Sequence, residues 1–510
     1  MLTKIKNFFH FLLGKHNARN ATVITTSLTA ASRVFAYGRV WLVAYLFGAS
    51  AFVDSFYVAF GAIGFITGTI QGTLESAILP KLVQNDKKTS ENLIGWIIRN
   101  VAIICLVISV VTLIFPEEFI KLFARTFDKE RISYAGQMVK YILPGSMSIL
   151  FIGILSMWAN YKERFAVPNT ITSFANIIAI PALLLLYPII GKYALPAFQS
   201  VSYVILAAGM WYILKEIPLR PTAKIEPQLR SKTKADIFFC LISSGAGLIY
   251  TLVDRYFASS LPVGNVSAIT YAQMIFSQPM GFMGAAMSIY LVRASEAVKS
   301  KEEGERQLFS VLYMAWSYFF PAAILLSVLA GPVVKLLLGY GAFDAKAVAL
   351  TTPCLAVTAL GLPILVWLTI MGRYVQALGK LRLLAVWSYI GITGNFFLDW
   401  LFVKPFGAPG LCAATTLMWG VSTFFFMVML APHIVWKLFK SLLPQTLAAL
   451  AWGIPLWLLI GDTTILPLII GGIIGLTHII ACEKIGFYSH IPEQWRPISI
   501  IKLFCRKLIR

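Results

Sequence analysis

Residues 116–128 read PEEFIKLFARTFD, and residues 332–344 read PVVKLLLGYGAFD. Both are a proline, ten further residues and Phe-Asp, if the Phe-Asp is counted at the end of the run; each follows one apolar stretch and precedes another that carries a proline, Pro144 and Pro363. Counting stretches outward, the two copies stand one six-span unit apart. A helix needs roughly 20 apolar residues to cross the hydrocarbon core, and the chain divides into about fourteen such stretches. The reading is two six-helix halves in the same orientation, a parallel repeat about an axis along the membrane normal with a central cavity between the lobes.

Composition agrees with that reading. Of 510 residues, 58% are hydrophobic and 13% charged, against about 45–50% and about 25% in soluble domains. A water-soluble enzyme is excluded. The expected fold class is an all-α polytopic membrane protein of about 14 transmembrane helices, two six-helix lobes related by a pseudo-twofold repeat, plus two C-terminal helices. The expected divisions are an amphipathic N-terminal segment (1–21), an N-lobe (22–214), a linker (215–235), a C-lobe (236–431), the last two spans (432–482) and a basic tail (483–510).

The net charge of +21 follows the topology. Alternate loops carry Lys81, Lys87 and Lys88; Lys162 and Arg164; six cations between Lys215 and Lys234; Arg293 to Arg306; Arg373 to Arg382; and Lys437 and Lys440. The intervening loops are nearly uncharged, such as FGASAFVD (47–54) and SSLPVGN (259–265), or balanced, as in 116–131. By the positive-inside rule the basic loops and both tails face the cytoplasm. Anionic lipid is a secondary partner, and nucleic acid is not implied. The six cysteines and five histidines form no metal-ligand spacing, and no hydrolase or nucleotide-binding motif occurs. The expectation is a transporter rather than an enzyme.

An ionisable side chain inside a span costs about 2.5–3.5 kcal/mol on insertion scales. Arg33 and Arg39 in span one, within SRVFAYGRV, lie roughly 120° apart around the helix and about 9 Å along it. They line one broad cavity wall, or they snorkel or pair with Asp54. Guanidinium forks match phosphate oxygens, so an anionic head group is their natural partner. Glu75 and Lys140 are weaker signals near the two membrane boundaries. In the second half, Asp254 stands in span seven, and Asn395 and Asp399 form an i,i+4 pair in span eleven, with Thr415 in span twelve. These oxygens suit a hard cation or a proton; the bland alternative pairs Asp254 with Arg255 and Asp399 with Lys404.

The segment SRVFAYGRVWLVAYLFGASAFVDSFYVAF (32–60) resembles the opening of the MurJ/MviN family, the lipid II flippases of the multidrug/oligosaccharidyl-lipid/polysaccharide exporter superfamily. ERFAVPNTITSFANI (163–177), GPVVKLLLGYGAFD (331–344) and FGAPGLCAATT (406–416) are similar to the same family, so the likeness spans most of the chain. The resemblance implies a lipid II flippase of the bacterial inner membrane, acting in peptidoglycan synthesis, cell-wall biogenesis and cell shape. Its last two helices would form a groove for the polyprenyl tail. It implies substrate contacts at Ser32, Arg33, Arg39 and Asp54, and a sodium site of Asp254, Asn395, Asp399, Leu411 and Thr415. No bound cofactor is expected; Na+ or H+ is the candidate coupling ion, and the transporter is expected to act as a monomer.

The sequence departs from the family at three places. Thr67, Gly68 and Gln71 stand near the family's helix-two Arg-Arg pair and Glu-Gly, Gln273 and Met274 replace its helix-eight Asp-Arg, and YVQALGKLRLL (374–384) lacks its Asp-Thr-x-Thr-Pro. Fewer cations leave two alternatives open: a flippase for another polyprenyl-linked saccharide, or a cation-coupled multidrug or metabolite exporter of the same superfamily.

Overall fold

The computed structural model describes residues 18–164, 166–219, 221, 225–278, 301–459, 465–491 and 496. Most of the expected N-terminal segment, the later part of span eight and most of the basic tail lie outside the described residues. The regular elements among the described residues are helices. In the first half these are α1 (Ala18–Phe47), α2 (Ala51–Gln84), α3 (Lys87–Ile114), the short α4 (Pro116–Lys121), α5 (Lys129–Tyr161), α6 (Ala166–Ile190), α7 (Ala194–Ile213) and α8 (Pro227–Ala258). Helical backbone over 265–278 forms α9. Then follow α10 (Lys301–Val328), α11 (Ala330–Leu338), α12 (Ala345–Leu360), α13 (Leu362–Ala377), α14 (Leu381–Leu430), α15 (Pro432–Leu459) and α16 (Ile465–Lys484).

By length and hydropathy, eight helical runs among the described residues can cross a membrane, and nine if α12 and α13, bent by 46° about Gly361, count as one span. Two of the eight are double. Thr170–Ile213 has 44 residues and Arg382–Leu430 has 49, each about twice the length of one crossing. The second run folds at Gly407, whose φ of 61° and ψ of −139° are closed to side chains with a Cβ. It thereby separates two arms of α14 that match expected spans eleven and twelve.

The repeated motif has a structural meaning. Asp128 accepts the backbone N–H of Arg131 at 2.8 Å, and Asp344 accepts that of Ala347 at 2.8 Å, so each motif ends in the N-cap of the next long helix. The preceding Phe127 and Phe343 are buried. They occupy the position from which an apolar residue packs back onto the first turn. Asp344→Ala is expected to lower stability by about 1 kcal/mol, and Asp344→Asn, which caps equally well, to restore most of it. Thermal unfolding of the purified protein reads the difference; equal melting of all three proteins would contradict the capping role. Asp86 caps α3 in the same way, and hydrogen bonds from Thr89 hold its carboxyl below the usual carboxylate range. That contribution is present above the ordinary value and is lost as pH falls through the lowered one.

The chain forms two compact units, 1–266 and 267–510. Span seven, α8, falls within the first of these units. It does so because it packs along α2 and is tied to it near the basic-loop end, where Lys81 Nζ lies 2.6 Å from Asp236 and donates to Thr233 Oγ1 at 3.1 Å. In the second unit α15 and α16 dock on α10 through glycines. A Cβ on Gly453 would stand 2.4 Å from Ile324, and one on Gly471 would stand 2.9 Å from Leu325. Small residues let the backbones close in where lipid gives no hydrophobic drive for association.

Candidate functional site

α1 carries the expected arginines. Taking Gly38, whose Cα faces Ile180 of α6, as zero and roughly 100° per residue, Arg39 falls near 100°, Ser32 near 120° and Arg33 near 220°. The exposed Val34, Trp41 and Tyr45 fall near 320°, 300° and 340° on the same scale. Phe35 lies between the two faces. The arginine face is thus turned away from the strip of exposed apolar side chains. Ser32 is buried, and Arg33 and Arg39 are half-buried. Arg39 makes no ion pair or hydrogen bond among the described residues, so its guanidinium fork is available to a ligand.

Asp54, expected among the substrate contacts, has a different environment. It is fully buried in the first turn of α2 and accepts the backbone N–H of Gly264 at 2.7 Å. Gly264 has a φ of 95° and immediately precedes α9, so the carboxylate also sits at the positive end of that helix. Arg131 Nη1 stands 3.9 Å from Asp54 and donates to the Leu261 carbonyl at 3.3 Å, while its Nε reaches Asp128 at 3.2 Å. The guanidinium lies 4.3 Å from the centre of the Phe127 ring. One buried cation therefore joins the N-cap of α5, the start of α2 and the loop after α8. Sequence reasoning passed over Arg131 because its neighbours Asp128, Lys129 and Glu130 made the loop look balanced.

The candidate ion ligands divide between the units. Asp254 is buried in α8 of the first unit. Asn395 and Asp399 are fully buried in the first arm of α14, where the Asn395 amide donates to the Asp399 carboxylate at 2.9 Å. Leu411 is buried and Thr415 half-buried in the second arm. The two arms close at Gly394, where a Cβ would stand 2.8 Å from Met418 Sδ, one residue from Asn395 and one turn from Thr415. A buried carboxylate and amide, with a half-buried hydroxyl on the other arm, are hard oxygen donors, which fits a hard monovalent cation in kind.

At the positions that depart from the family, Thr67 is buried and bonds its own helix at the Ile63 carbonyl, and Gln71 bonds Glu75 at 3.3 Å. Gln273 and Met274 are half-buried in α9. Lys140 is exposed, 5.2 Å from the centre of the Tyr141 ring.

Residues 43–492 match the family model described as lipid II flippase MurJ. The chain belongs to the MurJ family. The probable lipid II flippase MurJ of Synechocystis sp. is 24% identical over 470 residues, 88% of this chain and 86% of that protein. The probable MurJ of Thermotoga maritima is 24% identical over 444 residues, 84% of this chain and 88% of its own. Among solved structures, a lipid II flippase MurJ in an inward closed conformation matches with a TM-score of 0.81 at 20% identity, covering 92% of this chain and 99% of that one. An inward-facing multidrug resistance MATE transporter matches with a TM-score of 0.67 at 14% identity, covering 82% and 99%. The MurJ fold, a membrane-embedded helical transporter, is thus shared with a drug exporter, and the cargo must be argued from side chains.

Proposed function

We propose that this MurJ-family chain carries undecaprenyl-diphosphate-linked peptidoglycan precursor, lipid II, from the inner to the outer leaflet of the cytoplasmic membrane by alternating access. The observation that supports this reading is the face of α1 on which Ser32, Arg33 and Arg39 lie opposite the exposed apolar strip. Two guanidinium groups held away from lipid receive a diphosphate bidentately. They also offset the cost of moving its charge through a low-dielectric layer. The saccharide travels in water, the polyprenyl tail stays in lipid along α15 and α16, and no covalent bond changes. The distribution of basic loops puts both termini in the cytoplasm. The transporter works as a monomer.

Na+ or H+ would be held in the second unit by Asn395, Asp399, Thr415 and the Leu411 carbonyl, and would supply the charge that neutralises the buried Asp399 carboxylate. A ligand shifts the two access states only by its differential affinity for them. The missing cations at Thr67, Gln71, Gln273 and Met274 favour one second reading, a different polyprenyl-linked saccharide as cargo.

The test is replacement in cells depleted of their own lipid II flippase. Expression of this chain is expected to restore growth and outer-leaflet lipid II. A well-expressed, membrane-inserted protein that restores neither would assign it another cargo.

A further inference from the structure

We infer that Arg255, seated over Gly61, is a further anion-binding residue that holds phosphate oxygens of the polyprenyl diphosphate. The inference rests on the flippase reading and adds a contact to it. Helical side chains lean toward the N-terminus of their helix. Arg255 lies three residues before the end of α8 at Ala258, so its side chain points back into the membrane rather than out to the nearer surface. Its destination is fixed by α2: a Cβ on Gly61 would stand 1.4 Å from Arg255 Nη1 and 2.6 Å from Cζ. The guanidinium occupies space that only glycine leaves open. Gly61 is ten residues past the start of α2 at Ala51, roughly 15 Å along the helix. That places it well inside the 34-residue α2 rather than at its end.

A cation at that depth needs a counter-charge or water. Asp254 on the same helix and Tyr57 on α2 are the titratable groups whose fields reach Arg255. The guanidinium nevertheless makes no ion pair or hydrogen bond among the described residues, and the residue is half-buried. The donors of a planar fork are thus left without a hydrogen-bond partner among the described residues, inside the first unit. Arg255 also supplies, from helix seven, a cation of the kind that is missing at Gln71 and Gln273. Partnership with Asp254 alone does not account for the notch, which draws the charge away from its own helix and onto α2.

The experiment measures binding of undecaprenyl diphosphate to full-length protein in nanodiscs of zwitterionic lipid, with uncharged undecaprenol, inorganic diphosphate and added phosphatidylglycerol as further probes. Losing one charge-assisted contact corresponds to a weakening on the order of tenfold. Arg255→Gln is expected to weaken undecaprenyl diphosphate by that much and to leave undecaprenol unchanged. Gly61→Ala, which keeps the charge but fills its seat, is expected to do the same, and Arg255→Lys to lose less. Unchanged undecaprenol binding and melting temperature establish that the variants are folded. Undiminished undecaprenyl diphosphate affinity in both Arg255→Gln and Gly61→Ala, with Arg39→Ala weakened, would overturn the inference and leave the flippase reading intact. Displacement of the diphosphate lipid by phosphatidylglycerol or inorganic diphosphate at equal affinity would overturn it too, by assigning Arg255 to bulk lipid or free anion. A wild-type protein that binds undecaprenyl diphosphate no better than undecaprenol would defeat both readings.

Discussion

Replacing Arg39 with alanine is expected to abolish rescue of flippase-depleted cells and to lower outer-leaflet lipid II at least about tenfold, because a charge-assisted hydrogen bond contributes roughly 1.5–3 kcal/mol and a fork makes two. The expectation follows from placement. Arg39 lies on the face of α1 opposite Val34, Trp41 and Tyr45, and it has no ion pair or hydrogen bond among the described residues. Removing it therefore breaks no internal contact of that kind, and the folded protein should survive. Arg39→Lys keeps the charge and loses the fork, so intermediate rescue is expected. Growth and lipid II exposure decide the matter, with membrane abundance as the control. Full activity of Arg39→Ala at normal abundance would remove the diphosphate contact from the account.

The second large effect is on stability. Arg131→Met is expected to destabilise the first unit by about 3–5 kcal/mol, the range for breaking a buried ion pair from one side. The substitution keeps much of the side-chain volume but leaves Asp54 fully buried without its cation, and it removes the bonds to Asp128 and the Leu261 carbonyl. Asp54→Asn should be milder, because the amide oxygen still accepts the Gly264 N–H. The double variant should recover part of the loss, since the uncompensated charge is gone. Thermal unfolding in detergent reads the series. If Arg131→Met melted like the wild type, the network at the start of α2 would be incidental.

Much of this was legible in the sequence, for identifiable reasons. The repeat at 116–128 and 332–344 was visible because a cap must sit at a fixed distance before the helix it starts, and both copies use Phe-Asp for that purpose. Asn395 and Asp399 met as expected because i,i+4 spacing alone puts them on one face. Long-range partners were not legible. Asp54 read as a substrate contact, yet its partners are Gly264 and Arg131, which lie far away in sequence. Arg255 read as a neighbour of Asp254, and only the absence of a Cβ at Gly61 shows where the guanidinium goes. That α8 packs along α2 was not legible either, because linker composition marks where the chain is solvated and not which helix the next span packs against.

Transport by purified protein tests the central claim most directly. Full-length chain reconstituted into vesicles with lipid II on one leaflet should move it to the other, detected by a probe that reads only the exposed head group, and Arg39→Ala protein should leave it near the protein-free rate. Equal movement by wild type and Arg39→Ala, or none by wild type that is folded and inserted, would contradict the account.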